Sequence, residues 1–245
     1  MLRHTGLRRT YFHNIRLAVL LCLSAGFVNA AGFMAFAVLT TNVTGHAALL
    51  AVHFAQGNGR AARMVALWLI LFLAGAFSSS LFISRVGRNR SFAYSLPLLL
   101  IGIIIATVAV AGASYHQQLQ ETEWLAGSLL FSMGMQNALV SVISGSVVRT
   151  THLTGMVTDL GIDLSGILSS TPTQRQPAIR RIILRITIIF SFLFGGIGGA
   201  IAFQHLRFNA FFIPAAIIGI ALVYDYMRIA IRRRFHAIFP GTAPH

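Results

Sequence analysis

From Leu17 to Leu39 the chain carries no charged side chain, and comparable apolar runs recur at Met64–Ile83, Phe92–Ala111, Trp124–Val148, Ile182–Phe203 and Ala210–Ile231. An α-helix rises about 1.5 Å per residue, so roughly 20 apolar residues cross the ~30 Å hydrocarbon core of a bilayer. Inside that core every backbone N–H and C=O needs an internal partner, which makes helices the spanning structure for runs of this length. The sequence therefore predicts an all-α membrane protein with six transmembrane helices. Only 10% of the 245 residues are charged, against about a quarter in a soluble domain.

Two of the runs are followed by the same kind of interruption. Thr40-Thr41-Asn42-Val43-Thr44-Gly45-His46 follows the first, and Thr150-Thr151-His152-Leu153-Thr154-Gly155-Met156 follows the fourth. Each of these runs also carries an Asn-Ala pair, Asn29-Ala30 and Asn137-Ala138. Threonine hydroxyls bond freed backbone groups and glycine admits positive φ, so the composition suits a helix that stops and restarts within a membrane. The apolar pieces beyond the interruptions, Ala47–Ala55 and Val157–Leu168, are short for a crossing and are expected to be re-entrant or half helices.

The duplication extends further. Phe72-Leu73-Ala74-Gly75-Ala76 is echoed by Phe192-Leu193-Phe194-Gly195-Gly196, and Pro97 with Gly102 by Pro214 with Gly219. The chain reads as two three-span repeats, 1–112 and 113–245, forming one membrane domain. Three is odd, so the second repeat enters the bilayer from the opposite side. Inverted repeats with interrupted helices are the architecture of many secondary transporters, with the binding site near the midplane. Gly75, Ser78, Ser79 and Ser80, and Gly195, Gly196, Gly198 and Gly199, mark close helix contacts.

Charge sets an orientation. The basic residues number 19 and all are arginine. Six spans with both termini in the cytoplasm leave Arg60, Arg63 and Arg207 outside and all the others inside, as the positive-inside rule asks. If both short pieces crossed fully, the arginine-rich turn 85–90 would lie outside. The net charge of +14 does not indicate nucleic acid, because the arginines sit between apolar runs and no basic face interleaved with aromatics is present. Val28-Asn29-Ala30 faintly resembles a signal-peptide cleavage site, but the apolar run continues through Ala31–Leu39, so a retained first span is expected. The lone cysteine, Cys22, lies within that span, and Asp225 is placed to pair with Arg228 at the inner end of the last one.

Ionisable groups at membrane depth are expensive and usually face a cavity or a partner. Asn42, His46, Leu49 and His53 in the first copy align with His152, Met156, Asp159 and Asp163 in the second, and each set shares one helical face. Under a pseudo-two-fold axis His53 and Asp163 take equivalent places, and they are expected to approach and exchange protons. The candidate substrate-binding set is Asn29, Thr41, Thr44, Gly45, His46, His53, Asn137, Thr151, His152, Thr154, Gly155, Asp159 and Asp163. Helix N-termini at Gly45 and Gly155 would present N–H groups to an anionic or polar solute. The plainer alternative is that the Thr and Asn side chains satisfy broken backbone while the aspartates lie near the cytoplasmic interface. His46, His53, His152 and Asp159 would be the metal variant, but no HxxxH or CxxC spacing supports it, and neither metal nor cofactor is expected. No nucleophile–base set, phosphate loop or dinucleotide fingerprint is present, so an enzyme is not expected.

At these motifs the chain resembles the YoaK family of bacterial integral membrane proteins. The resemblance rests on Gly26-Phe27-Val28-Asn29-Ala30-Ala31-Gly32-Phe33 followed by Thr44-Gly45, and on Gly134-Met135-Gln136-Asn137-Ala138 followed by Thr151-His152-Leu153-Thr154-Gly155, and it covers residues 15–230. Two positions depart from the family pattern: Asn29, where Asp is common, and His46, where a small polar residue is usual. A shared acidic role in the first half is not carried over at Asn29. The resemblance implies a location in the bacterial inner (plasma) membrane and this architecture, not a substrate. Two functions fit: a small-solute transporter or permease working by alternating access, and a non-transporting membrane sensor or accessory subunit. The partners expected are the lipid bilayer and a small solute, with a homo-oligomer as an option. A cavity reaching both breaks favours transport; tightly packed breaks beside an exposed apolar groove favour the second.

Overall fold

Each long apolar run becomes a helix, because intrahelical bonding is the cheapest way to satisfy a backbone that has no water around it. The computed structural model describes residues 11–87, 90, 92–144, 152–168 and 171–223. Its α-helices are α1 (Tyr11–Phe36), α2 (Val43–Ala55), α3 (Gly59–Val86), α4 (Phe92–Ala111), α5 (Leu119–Ser144), α6 (Leu153–Leu168) and α7 (Pro172–Leu206). Two 3-10 turns, Gly112–Ser114 and Arg207–Phe211, follow α4 and α7, and residues 212–223 are helical again. No strand occurs among the described residues.

Five helical stretches are long and apolar enough to cross a bilayer: Val19–Phe36, Gly59–Val86, Phe92–Ser114, Leu119–Ser144 and Arg175–Val223. Their outward faces suit lipid. On α3, Leu67, Ile70, Leu73 and Phe77 are all exposed at helical spacing, a stripe that water would penalise. The last stretch, at 49 residues, is not straight. Arg207 adopts φ 51°; Phe208 then lies against Gly112, and Ile218 lies beside Gly102, so 212–223 run back antiparallel to α4.

Two crossings hold the bundle together, and they use the same device. Gly26 on α1 lies against the Phe192 carbonyl of α7, and Gly195 on α7 against the Leu23 carbonyl of α1. Gly134 on α5 lies against the Phe72 carbonyl of α3, and Gly75 on α3 against the Phe131 carbonyl of α5. A Cβ at any of the four would overlap backbone, so glycine is required by contact and not by dihedral angle. Phe36 at the end of α1 packs on Phe208 just beyond the end of α7, with ring centroids 5.7 Å apart, so these two helices run the same way. The first turns of α3 and α5 lie side by side, so that pair is parallel too. A buried polar tie joins the two pairs: Gln136 Nε2 donates to the Leu21 carbonyl at 2.8 Å.

Several boundaries differ from expectation. α1 stops at Phe36 rather than Leu39, because Ala37 turns to φ 56° while its N–H still bonds the Phe33 carbonyl at 2.8 Å. α2 starts at Val43 and α6 at Leu153, so Thr44, Gly45 and His46, like Thr154 and Gly155, belong to first helical turns and not to the breaks. Neither Gly45 nor Gly155 has positive φ. Most of the expected polar connector 169–181 is helical, since α7 begins at Pro172. Thr150, Thr151, Asp225 and Arg228 lie outside the described residues.

Replacing Gly26 or Gly134 with Ala is expected to cost about 1–3 kcal/mol by forcing backbones apart. Ala at Gly161, where nothing lies within 4 Å, should instead be neutral or stabilising through helix propensity. Thermal melts of the purified variants in one detergent would show the opposite signs.

Candidate functional site

The first break folds back on α1. Asn29 lies seven residues before the end of α1, and its Oδ1 accepts the Thr41 N–H at 3.1 Å. The methyl of Thr40 sits where a Cβ on Gly32 would be, so the descending segment 37–42 lies directly against α1. α2 therefore starts about 10 Å below the end of α1 and, at 13 residues, leads back to the end where α3 begins.

Asn42 caps α2: its Oδ1 accepts the Gly45 N–H at 2.9 Å. A Cβ on Gly45 would collide with that amide, which explains the Thr-Gly pair by the space a capping side chain needs. In the second copy the His152 ring lies over Gly155 in the same way. The expectation that the Gly45 N–H waits for an anionic solute is corrected here, because Asn42 already takes it.

His46 points into the protein and is buried. Its Nε2 lies 2.8 Å from the Leu39 carbonyl; a carbonyl only accepts, so Nε2 carries the proton. The ring packs edge-on against Trp68 of α3 at 5.6 Å. His46 Nδ1 and Thr40 Oγ1 are buried and without a partner among the described residues. Thr41 is buried beside them, whereas the Thr44 side chain is exposed.

The second copy differs in chemistry. Asp159 and Asp163, one turn apart on α6, face Arg181 and Arg185, one turn apart on α7. Arg181 Nε donates to Asp163 Oδ1 at 3.2 Å. Arg185 donates to the Asp159 carbonyl at 2.9 Å and to its carboxylate at 3.3 Å, and it also pairs with Asp163 Oδ2. The Asp163 side chain is 10% exposed and that of Arg185 19%. The approach of His53 to Asp163 is not what forms: α2 packs on α3 and α6 on α7, and the carboxylate is taken by arginines. In the sequence Arg181 and Arg185 bear on orientation alone; their four-residue spacing, matching that of the aspartates, is the signal that points to the pairing.

His53 is half-buried on α2, Asn137 half-buried on α5, and Thr154 and His152 are exposed. Thr151 lies outside the described residues. Thus Asn29, Thr41 and His46 come together with Thr40 and Trp68, and Asp159 with Asp163. No group of three or more His, Cys, Asp or Glu gathers among the described residues, so His46, His53, His152 and Asp159 are not brought together. Two cavities lie elsewhere. One of about 380 Å³ sits under the aromatic cluster of Phe203, Phe208 and Tyr115, and one of about 810 Å³ lies between the first turns of α3 and α5.

Residues 17–224 match the family described as "Protein of unknown function (DUF1275)". The chain belongs to that family. It is 26% identical over 201 residues to the UPF0700 transmembrane protein YoaK of Bacillus subtilis (strain 168), covering 81% of this chain and 88% of that one. No solved structure matches. The protein is thus a YoaK-family membrane protein, and its Gly26–Phe33 motif combines a crossing glycine, Gly26, with the anchor of the break, Asn29.

Asn29→Leu should strand the Thr41 N–H at a cost of about 1–3 kcal/mol and speed amide exchange across 40–46 by about tenfold or more. Asn29→Asp keeps an acceptor and should exchange like the wild type. Asp163→Asn should destabilise by about 1–3 kcal/mol, less than a fully buried pair because Arg181 is half exposed. Adding Arg185→Gln should recover part of that loss in a double-variant melting cycle.

Proposed function

We propose that this protein is a small-solute transporter of the bacterial inner membrane, built as six transmembrane helices in two inverted three-span repeats with both termini cytoplasmic. The paired crossings support the repeat: Leu23 and Gly26 against Phe192 and Gly195 repeat as Phe131 and Gly134 against Phe72 and Gly75. The turn at Arg207–Phe211 supports counting two passes within 175–223. Charge supports the orientation. Arg60, Arg63 and Arg207 lie at the end holding Phe36 and Tyr115, while Arg85, Arg90, Arg175, Arg180 and Arg181 lie at the other.

The observation that carries the transport reading is a half-length helix starting inside an apolar bundle, with Thr40, Thr41 and His46 buried at its start. Polar groups held at such depth mark solute or ion pathways. In this reading the described conformation has the first break packed shut, and admission of solute requires α2 to move off Trp68. The substrate set is Asn29, Thr41, Thr44 and His46 with Asn137, Thr151 and Thr154, while the Asp159–Asp163–Arg181–Arg185 cluster braces α6 on α7.

The second reading, a non-transporting sensor or accessory subunit, is favoured by the tight packing of the first break and by the open groove between α3 and α5. Uptake of candidate solutes into proteoliposomes separates the two. Transport predicts uptake by the wild type and at least about tenfold less by His46→Phe and Thr154→Val. Equal uptake in both variants removes the breaks from the mechanism, and no uptake by the wild type favours the second reading. In a Cys22→Ala background, cysteines at Gln56 and Gly166 should react with an impermeant maleimide from opposite faces of the membrane.

A further inference from the structure

The cavity of about 810 Å³ between α3 and α5 is amphiphilic along its length. Arg60 and Arg63 stand at its mouth on the first turns of α3, and Leu67 and Leu71 continue the same face deeper. Leu71 is about 16 Å from Arg60 along the helix axis, which takes the groove from headgroup level into the acyl region. Opposite, α5 contributes Glu123, half-buried, and Trp124, which is 72% exposed. Tryptophan at that depth is typical of a membrane interface.

The charges in this groove do not close on one another. No ion pair joins Glu123 to Arg60 or Arg63 among the described residues, and the Arg63 Nε–H is turned back to the Gly59 carbonyl at 3.2 Å. Two guanidinium groups and one carboxylate therefore face a single lipid-accessible groove with their charges unmatched across it. An occupant that satisfies both signs must carry an anion and a cation on one small headgroup, attached to an apolar body that follows Leu67 and Leu71.

We propose that this groove binds an aminophospholipid, with the phosphate on Arg60 and Arg63, the primary ammonium donating to Glu123, and an acyl chain along α3. Guanidinium matches phosphate oxygens in geometry and charge. The carboxylate accepts only, so it takes N–H or O–H donors, and a cationic N–H donor also matches its charge. A phosphocholine headgroup has none, and phosphoglycerol carries no cation. The site is separate from the Thr-Gly breaks and depends only on the chain lying in a bilayer.

The test uses full-length protein in phosphatidylcholine nanodiscs, into which phosphatidylethanolamine, phosphatidylglycerol or phosphatidylcholine with brominated acyl chains is titrated. The readout is tryptophan quenching, with Trp124→Phe removing the signal from the groove and leaving that of Trp68. Wild type should prefer the ethanolamine lipid over the choline lipid by about fivefold. Glu123→Gln should bring that ratio to about one. Arg60→Gln with Arg63→Gln should weaken the ethanolamine and glycerol lipids together. All substituted positions are at helix starts, and matched melting temperatures check that the variants fold. A wild-type ratio near one, a preference for phosphatidylglycerol, or an ethanolamine preference that survives Glu123→Gln would each overturn the proposal. So would equal displacement by free phosphoethanolamine, which lacks the apolar body.

Discussion

Backbone pressed against backbone at the glycines of two helix crossings is the contact on which the rest of this bundle depends. In a bilayer, lipid tails compete with leucine on equal terms, so helices stay together through close approach and a few polar ties. Gly26 and Gly195 bring α1 onto α7; Gly75 and Gly134 bring α3 onto α5. The Gln136 bond to the Leu21 carbonyl then fastens α5 to α1. With those axes fixed, α2 lies on α3 and α6 on α7, which places His46 beside Trp68 and Asp163 beside Arg181 and Arg185.

The two short helices are held in place by different chemistry. A helix starting in an apolar interior leaves its first N–H groups to be satisfied. Asn42 does this for α2, with Gly45 giving it room and Asn29 holding the preceding strand of chain at Thr41. Where α2 then uses an aromatic contact between His46 and Trp68, α6 uses carboxylates against guanidinium groups. An aromatic latch on one side and a charged brace on the other would respond differently to salt.

Periodicity and length made the long helices readable, and α4 begins and ends where its apolar run does. The glycines of the crossings were readable as small residues in matched pentapeptides, Phe72–Ala76 and Phe192–Gly196. The end of α1 was not, because Ala37 takes a left-handed angle that nothing in an alanine announces. Gly45 and Gly155 pointed to the right place for the wrong reason. They suggested a positive-φ break, whereas each is a helical residue with a side chain folded over it. The partners of Asp159 and Asp163 depended on which helix α6 lies against, and that is set by tertiary packing that no local pattern records.

The pairing of α1 with α7 has a consequence for biosynthesis. α1 is made before α7, so Gly26 and the Leu23 carbonyl remain against lipid or against the insertion machinery until α7 has followed. Neither half buries its own crossing surface, since each crossing takes one helix from either side of the α4–α5 connection. Truncation after α5 would leave both α1 and its crossing glycine without a mate.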